Sequence, residues 1–220
     1  MVIRFENMVN GRHITLNDSN YLNPFGETYT ISKFRYYITN IKLESVRRTG
    51  KESNSYHLID EAKPGSRNFS CTIKEGEYSS MSFLLGVDSI HNVSGAQTGA
   101  LDPLNDMFWT WNTGYVMAKL EGISSSSLLR NNIFEYHIGG FKGNNCVLQN
   151  IDLRFPSDEK VMVRKGHITE IIIQANINEW WTGSTDLKIS TNASITTPGI
   201  FARKISANYA KMFVVQKVFN

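Results

Sequence analysis

Apolar and polar residues alternate along most of the chain. The alternation is clearest in "YTISKFRYYITNIKLES", "YSSMSFLLGV", "IFEYHIGGF", "VLQNIDLRF" and "KVMVRKGHITEIIIQANI". A period of two places successive side chains on opposite faces of a strand, and these segments are rich in the β-branched and aromatic residues that strands favour. Stretches rich in Gly, Asn, Asp and Ser separate them. The pattern predicts about eight strands joined by turns.

Helical periodicity is found near the C-terminus, in "IFARKISANYAKMF", where Pro198 and Gly199 act as a start signal. The polar segments "SVRRTGKESNS" and "EGISSSSLLRNN" are predicted as loops between strands and not as linkers between domains. We therefore expect residues 1–220 to form a single all-β domain. The predicted architecture is an antiparallel β-sandwich, immunoglobulin-like or jelly-roll, with one short C-terminal helix.

Composition and charge narrow the function classes. The chain is 41% hydrophobic and 11% aromatic, which is enough for a sizeable core. Its 23 basic and 20 acidic residues are dispersed, and the net charge is only +3. Without a basic block, nucleic acid is not an expected partner. No apolar run approaches the roughly 20 residues of a transmembrane helix, so no transmembrane segment is predicted.

The aromatic block "MFWTWNTGYVMAKL" lies in the middle of the chain. If Met107 to Leu120 is one extended strand, Trp109 and Trp111 lie on the same face. The favoured interpretation is a core strand that fills the space between the sheets, and the alternative is the wall of a pocket with oxidisable indoles. In "EWWTG", Trp180 and Trp181 would face opposite ways on a strand. The favoured interpretation is a strand-end aromatic that covers the edge of the sandwich, and the alternative is an exposed Trp181 that marks a contact patch for a protein or a glycan.

Candidate polar chemistry is sparse. Cys71 and Cys146 do not form a CxxC pair, and both a long-range disulfide and two free thiols remain open. In the loop-like segment "GVDSIHNVSG", residues Asp88, His91 and Asn92 either brace turns or bind a metal. The sequence contains no HExxH motif, nucleophile elbow or phosphate-binding loop. An enzyme is therefore the least favoured class.

The order of several motifs along the chain resembles the MbnP-like family. These motifs are "NGRHITL", "YTISKFRYYITNIKL", "YHLID", "GEYSSMSFLLGVDS", "LDPLNDMFWTWNTGY", "KLEG", "EYHIGGF" and "ANYAKMF". The most specific are "LDPLNDMFWTWNTGY" and the "KLEG" that follows it. The family consists of secreted or periplasmic β-sandwich proteins, named for the partner of methanobactin-type copper acquisition, and includes copper proteins of methanotrophs.

The resemblance implies a metal site, which this sequence matches in part. In the copper-binding members, two imidazoles and the nitrogen of a kynurenine hold copper(I), and the kynurenine is made from a tryptophan two residues before one histidine. His57 matches that histidine, but Ser55 stands where the tryptophan would be. His91 lies two positions before the place of the second histidine, where this chain has Val93. His137, in "YHIGGF", matches a further histidine of the pattern.

From this resemblance we expect an exported, non-catalytic protein that binds or traffics copper, with zinc as the alternative. The expected ligands are His57, His91 and His137, and Trp109 and Trp111 are candidate substrates for a haem partner. The family also implies a dihaem peroxidase-like partner or an outer-membrane receptor. It implies a periplasmic or cell-surface location, with an export signal that these residues do not include. The competing hypothesis is a binding module for a protein or glycan that has lost the metal site.

Overall fold

The computed structural model describes residues 1–46, 48–52, 55–95, 97–110, 113–156 and 159–220. Strands are the main regular structure of the described chain, because the alternating segments form strands as their period predicts. The strands are β1 (Val2–Val9), β2 (Arg12–His13), β3 (Tyr21–Leu22), β4 (Thr28–Ser45), β5 (Arg48–Lys51), β6 (Tyr56–Asp60), β7 (Asn68–Ser70), β8 (Gly76–Tyr78), β9 (Ser80–Leu85), β10 (Phe108–Thr110), β11 (Gly114–Ile123), β12 (Ile133–Gly139), β13 (Gln149–Arg154), β14 (Val161–Val163), β15 (Glu170–Asn176), β16 (Ser194–Ile195) and β17 (Phe213–Phe219).

The long strand β4 is the centre of a ten-stranded sheet. It pairs with β11 and β9 and also with β3, β5 and β6. The ladder to β9 is interrupted between Thr39 and Lys42, where Asn40 adopts a positive φ of 55°. Such a bulge bends the strand locally. Here the backbone N–H of Asn40 donates to Ser55, just before β6 begins.

A five-stranded sheet contains β17, β15, β1, β2 and β7. Most pairings of the described strands are antiparallel, but β1 with β15 and β12 with β16 are parallel. The two sheets enclose one core. The ring of Phe5 on β1 lies 6.0 Å from Tyr36 on β4 and 6.2 Å from Phe83 on β9, both edge-on. Aromatic pairs prefer this geometry, and the predicted sandwich is confirmed.

In the described parts of the chain, two α-helices accompany the sheets. The predicted C-terminal helix is confirmed as α2 (Ile200–Tyr209), which starts directly after Gly199. A short helix, α1 (Ser89–Val93), lies in the segment predicted as a loop. Asp88 precedes this helix, and its carboxylate accepts a hydrogen bond from the backbone N–H of His91. Asp88 is therefore the N-cap of α1. Neither helix is long and apolar enough to cross a membrane.

The aromatic block does not form one strand from Met107 to Leu120, so that prediction was wrong. The chain reverses between β10 and β11, and Phe108 pairs with Tyr115. Gly114 has a φ of +71°, which favours glycine, and the Thr110 and Thr113 hydroxyls lie 2.8 Å apart across the turn. The alternation of the block therefore belongs to two short antiparallel pieces, which periodicity alone does not distinguish from one long strand.

Both tryptophans of "EWWTG" are fully buried, which agrees with the favoured covering role and excludes the alternative of an exposed contact patch at Trp181. The segment is not a strand with opposite faces. Ile177–Trp180 forms a 3₁₀ helix, and Trp181 follows it in a helical conformation. The Trp181 ring packs 4.9 Å from Tyr29, and Trp180 packs 4.6 Å from Tyr209 on α2. The pair closes one end of the core.

Candidate metal centre

The three histidines expected from the resemblance lie in separate places. Among the described residues, one group of at least three His, Cys, Asp or Glu side chains has its potential ligand atoms within 4.8 Å of one another, and of the three histidines it contains His57 alone. The structure therefore does not bring the three histidines together. Each contacts a different carboxylate: Glu52 for His57, Asp88 for His91 and Glu121 for His137.

The group around His57 consists of Glu52, His57 and Cys71, and we call it the thiol–imidazole cluster. His57 Nε2 lies 3.2 Å from Glu52 Oε2. The Cys71 thiol donates to the same carboxylate oxygen over 3.4 Å. Cys71 is buried, and the side chains of His57 and Glu52 are 20% and 13% exposed. A sulfur, a nitrogen and an oxygen donor thus meet just below the surface.

Three different backbone ladders position this cluster. His57 lies within β6, opposite Ile38 on β4. Glu52 follows β5, and its backbone N–H extends the pairing with β4 by donating to Ile41. Cys71 follows β7, and its backbone N–H donates to Met1 beside β1. Because each residue is attached to a paired strand, the three side chains converge without relying on a long free loop.

Phe69 fixes the plane of the imidazole. The two rings stack with centroids 3.6 Å apart and planes 11° apart. Phe69 and Cys71 are two residues apart in extended chain, so they face the same side. Stacking covers a face of the His57 ring but leaves the nitrogen atoms at its edge available for Glu52 or a metal.

Burial and hydrogen bonding act against each other at Glu52. Burial raises its pKa, but the hydrogen bond and charge of His57, with weaker contributions from Cys71 and Ser55, outweigh burial and lower the pKa overall. The pKa of the Cys71 thiol is raised, first by burial and then by the neighbouring Glu52 carboxylate. At neutral pH the cluster therefore contains an ionised carboxylate and a protonated thiol.

A polar surface cavity borders the cluster. Its volume is about 500 Å³, and Glu52 forms part of its wall together with Lys42, Lys51, Asn150 and Asp152. Residues of β4 and β9, among them Ile41 and Phe83, also line the cavity. Neither His57 nor Cys71 lines this cavity.

His91 belongs to a different polar cluster, with Tyr56 and Asp88. The Tyr56 hydroxyl donates to Asp88 Oδ2 over 2.5 Å and lies 2.6 Å from His91 Nδ1. His91 Nδ1 is also 2.8 Å from Asp88 Oδ1. Burial raises the pKa of Tyr56, and its hydrogen bond to the Asp88 carboxylate adds to that rise. These contacts attach α1 to β6.

His137 belongs to a network of charges on β4, β11 and β12. Its Nε2 lies 2.8 Å from Glu121 Oε1, and Lys33 Nζ lies 3.1 Å from Glu121 Oε2. Burial acts to raise the pKa of Glu121, but the hydrogen bond from His137 and the Lys33 and Lys119 charges lower it to about 2. Lys119 is itself buried and bonds to Asp106 over 3.0 Å. Positive partners thus already surround the Glu121 carboxylate.

The other residues singled out from the sequence have varied surroundings. Trp109 is partly buried and packs against Gly139, where a Cβ would lie 2.5 Å from its ring. Trp111 lies outside the described residues. Cys71 and Cys146 are both free thiols, one buried and one half-buried. The structure therefore shows two thiols where the sequence left a disulfide open.

Sequence reasoning missed two members of the thiol–imidazole cluster. Glu52 sits in a polar segment predicted as a loop, and Cys71 was considered only as a disulfide partner. The alternation around "NFSCTI" carried a usable signal, since Phe69 and Cys71 must share a face of an extended chain. Nothing in the sequence shows that this face meets β6, because strand pairing is long-range.

Comparisons with known proteins agree with this architecture. The solved structure of MbnP from Methylosinus trichosporium is similar to this chain, with a TM-score of 0.58 and 12% sequence identity. The similarity covers 89% of this chain and 78% of that one. At this identity it shows a shared fold.

A search of curated proteins finds no match. The sequence model of the MbnP family matches residues 1–198. The match spans β1 to β16, α1 and the thiol–imidazole cluster, and it ends just before α2, so it leaves out α2 and β17. Because it covers most of the sequence, the chain belongs to the MbnP family.

Proposed function

We propose that this protein is an exported, non-catalytic metal-binding or metal-trafficking protein that takes copper or zinc at His57. The observation that carries the proposal is the environment of His57, the histidine that the family resemblance marks as a ligand. Its ring is held by Phe69 and lies beside the Glu52 carboxylate, close to the surface. An oriented imidazole with a carboxylate partner is a common element of protein metal sites.

The donor types present fit both metals. Imidazole binds copper and zinc, and carboxylate oxygen and thiolate sulfur also occur in zinc sites. Stacking on Phe69 restricts rotation of the ring, and the contact with Glu52 fixes the direction of Nε2. A bound metal ion would be cargo that the protein holds and passes on. The affinity order of divalent metals does not choose between copper and zinc. It places copper above zinc at nearly every site of these donor types, whichever metal the protein carries.

The nitrogen set of the copper-binding relatives is not reproduced. Ser55 occupies the kynurenine position, and its buried hydroxyl accepts a hydrogen bond from the backbone N–H of Ile41. His91 contacts Tyr56, and neighbouring residues of a strand face opposite sides, so His91 is on the other side of β6 from His57. The proposal therefore rests on His57 and its own neighbours.

Calorimetric titration of the metal-free protein with zinc and with copper(I) tests this function. We expect the wild type to bind one equivalent and the His57→Ala variant to lose that binding. His167→Ala is the control, because His167 is exposed next to the turn at Lys165 and Gly166 and should bind nothing strongly on its own. Wild-type affinity no greater than that of the His57→Ala variant would disprove metal binding at His57.

Export and partners are proposed on the family resemblance alone. We expect a periplasmic or cell-surface location and contact with an outer-membrane receptor or a dihaem peroxidase-like enzyme. Fractionation of the native host with an antibody to this protein checks the location, and recovery only in the cytosol would contradict it. The alternative, a glycan or protein module acting through Trp181, has lost its main support because Trp181 is buried.

A further inference from the structure

We infer that Cys71 and Glu52 bind the metal together with His57, forming a thiolate–imidazole–carboxylate site in which the Cys71 thiol releases its proton to solvent as the metal binds. This inference rests on the proposed function and adds the identity of the ligands. The thiolate would supply the third donor that Ser55 cannot provide in place of a kynurenine. No other group of the described residues offers three such donors within the same distance.

The spacing of the donor atoms suits one tetrahedral ion. Zinc lies about 2.0 to 2.3 Å from its nitrogen, oxygen and sulfur ligands, so two ligands of one ion lie about 3.3 to 3.8 Å apart. His57 Nε2 is 3.2 Å and Cys71 Sγ is 3.4 Å from the same Glu52 oxygen. One ligand atom of each residue lies within 4.8 Å of those of the other two.

Two features separate this cluster from a chance meeting of polar residues. The Cys71 thiol is buried and already points at a carboxylate, an uncommon partner for a thiol that serves only as an apolar core residue. One extended segment places both the Phe69 ring and the Cys71 sulfur beside the His57 imidazole. The Phe69 ring stacks on it, and the sulfur belongs to the same group of ligand atoms. The second cysteine, Cys146, belongs to no comparable group among the described residues.

The donor set also indicates the class of metal. A thiolate favours soft or borderline ions such as copper(I) and zinc over magnesium, calcium or manganese, which prefer oxygen ligands. Three protein ligands leave one position of a tetrahedral ion for water or for a donor from a partner, unlike the four-ligand structural sites. Such a site suits a protein that releases its metal to another molecule.

Cobalt(II) is the probe for the thiolate, because a thiolate–cobalt bond gives a charge-transfer band in the near ultraviolet that imidazole and carboxylate ligands do not. We expect the reduced, metal-free wild type to develop this band with one equivalent of cobalt and to lose it when zinc displaces the cobalt. Cys71→Ser should abolish the band and weaken binding by at least about 100-fold, since changing even an outer-shell partner costs about 10- to 100-fold. The control variant Cys146→Ser should keep both the charge-transfer band and the wild-type affinity.

The remaining variants complete the assignment. His57→Ala should lose binding, and Glu52→Gln should keep a weaker charge-transfer band. Circular dichroism and thermal melting check that each variant folds. X-ray absorption at the zinc edge of the wild type gives an answer independent of any variant, because one sulfur neighbour at about 2.3 Å is expected.

Each result separates the inference from the proposed function. Zinc binding that depends on His57, with no sulfur neighbour and with Cys71→Ser unchanged, would overturn the ligand assignment and leave the function in place. A charge-transfer band that is lost in Cys146→Ser and kept in Cys71→Ser would show that Cys146 binds the metal. That result would also overturn the ligand assignment. No metal binding by the wild type would overturn both.

Discussion

Tyr56 and His57 are neighbours on β6, yet their side chains belong to two separate polar clusters. The Tyr56 hydroxyl bonds to Asp88 and lies against His91, whereas the His57 ring contacts Glu52. The alternation of a strand produces this separation, because consecutive side chains point to opposite faces. The same strand thus carries a candidate metal ligand on one face and the anchor of α1 on the other.

This separation predicts that His91 is not needed for metal binding. The His91→Ala variant should bind zinc with the wild-type affinity, within about twofold, because its imidazole lies across β6 from the cluster. His57→Ala, measured in the same titration, should lose binding. A loss in His91→Ala as large as that in His57→Ala would show that α1 moves toward His57 when metal binds.

Tyr56 is expected to contribute to stability and not to metal affinity. Tyr56→Phe removes the hydroxyl that bonds to Asp88 and contacts His91 but keeps the ring. A hydrogen bond to a charged group typically contributes about 1.5 to 3 kcal/mol, so the free energy of unfolding should fall by roughly that amount. Urea unfolding measures it, and a zinc titration of the same variant should match the wild type. Unchanged stability would mean that water replaces the hydroxyl at no cost.

Much of the fold is predictable from the sequence, and the candidate site is predictable only in part. The alternation in β4 and β12 and the start signal before α2 are local, so the strands and the helix could be predicted. The turn at Gly114 was missed because two short strands and one long strand share the same period. The strand expected at Trp180 and Trp181 was wrong, because a 3₁₀ helix forms there and both rings are buried.

Long-range pairing explains what was missed at the site. Glu52 and Cys71 are 19 residues apart and meet because β5 and β6 both pair with β4 while β7 pairs with β1. No local sequence pattern predicts a contact between residues on strands that pair with different partners. The resemblance identified His57 from a motif, but its true neighbours depend on the register of three ladders.

Gly114 and Gly26 offer a matched test of the hairpin after β10. Both have a positive φ, +71° and +77°, but a Cβ at Gly114 would lie 2.2 Å from Asn92 Oδ1, whereas a Cβ at Gly26 would meet nothing within 4 Å. Gly26→Ala should therefore cost only the backbone strain, about 1 to 2 kcal/mol. Gly114→Ala should cost more, since Asn92 must also move.

The additional cost at Gly114 has a specific source. The Asn92 side chain accepts from the backbone N–H of Tyr115 and donates to the carbonyl of Val87, so its displacement leaves buried polar groups unpaired. Each such group costs about 1 to 3 kcal/mol. Thermal melting of both variants measures the difference. Equal losses of stability would show that the hairpin relaxes without disturbing Asn92.

Acid should destabilise the protein partly through Glu121. Its pKa is about 2 in the folded chain against an ordinary value of 4.5, because His137, Lys33 and Lys119 stabilise the carboxylate against the effect of burial. A lowered folded pKa contributes stability that is fully present above about pH 4.5 and is lost as the pH falls toward 2, since the unfolded chain takes up the proton first. Because the Glu121 side chain is partly exposed, solvent screening keeps its contribution below the roughly 3 kcal/mol that the full shift would give.

The Glu121→Gln variant isolates this contribution from the other carboxylates. It should be less stable than the wild type at pH 7 and should lose less stability between pH 4.5 and 2, so the two curves converge in acid. Glu75→Gln, at an exposed position, should follow the wild type throughout. Urea unfolding at closely spaced pH values gives the curves. Parallel curves for Glu121→Gln and the wild type down to pH 2 would mean that the Lys33 and His137 contacts do not hold the Glu121 carboxylate in its ionised form.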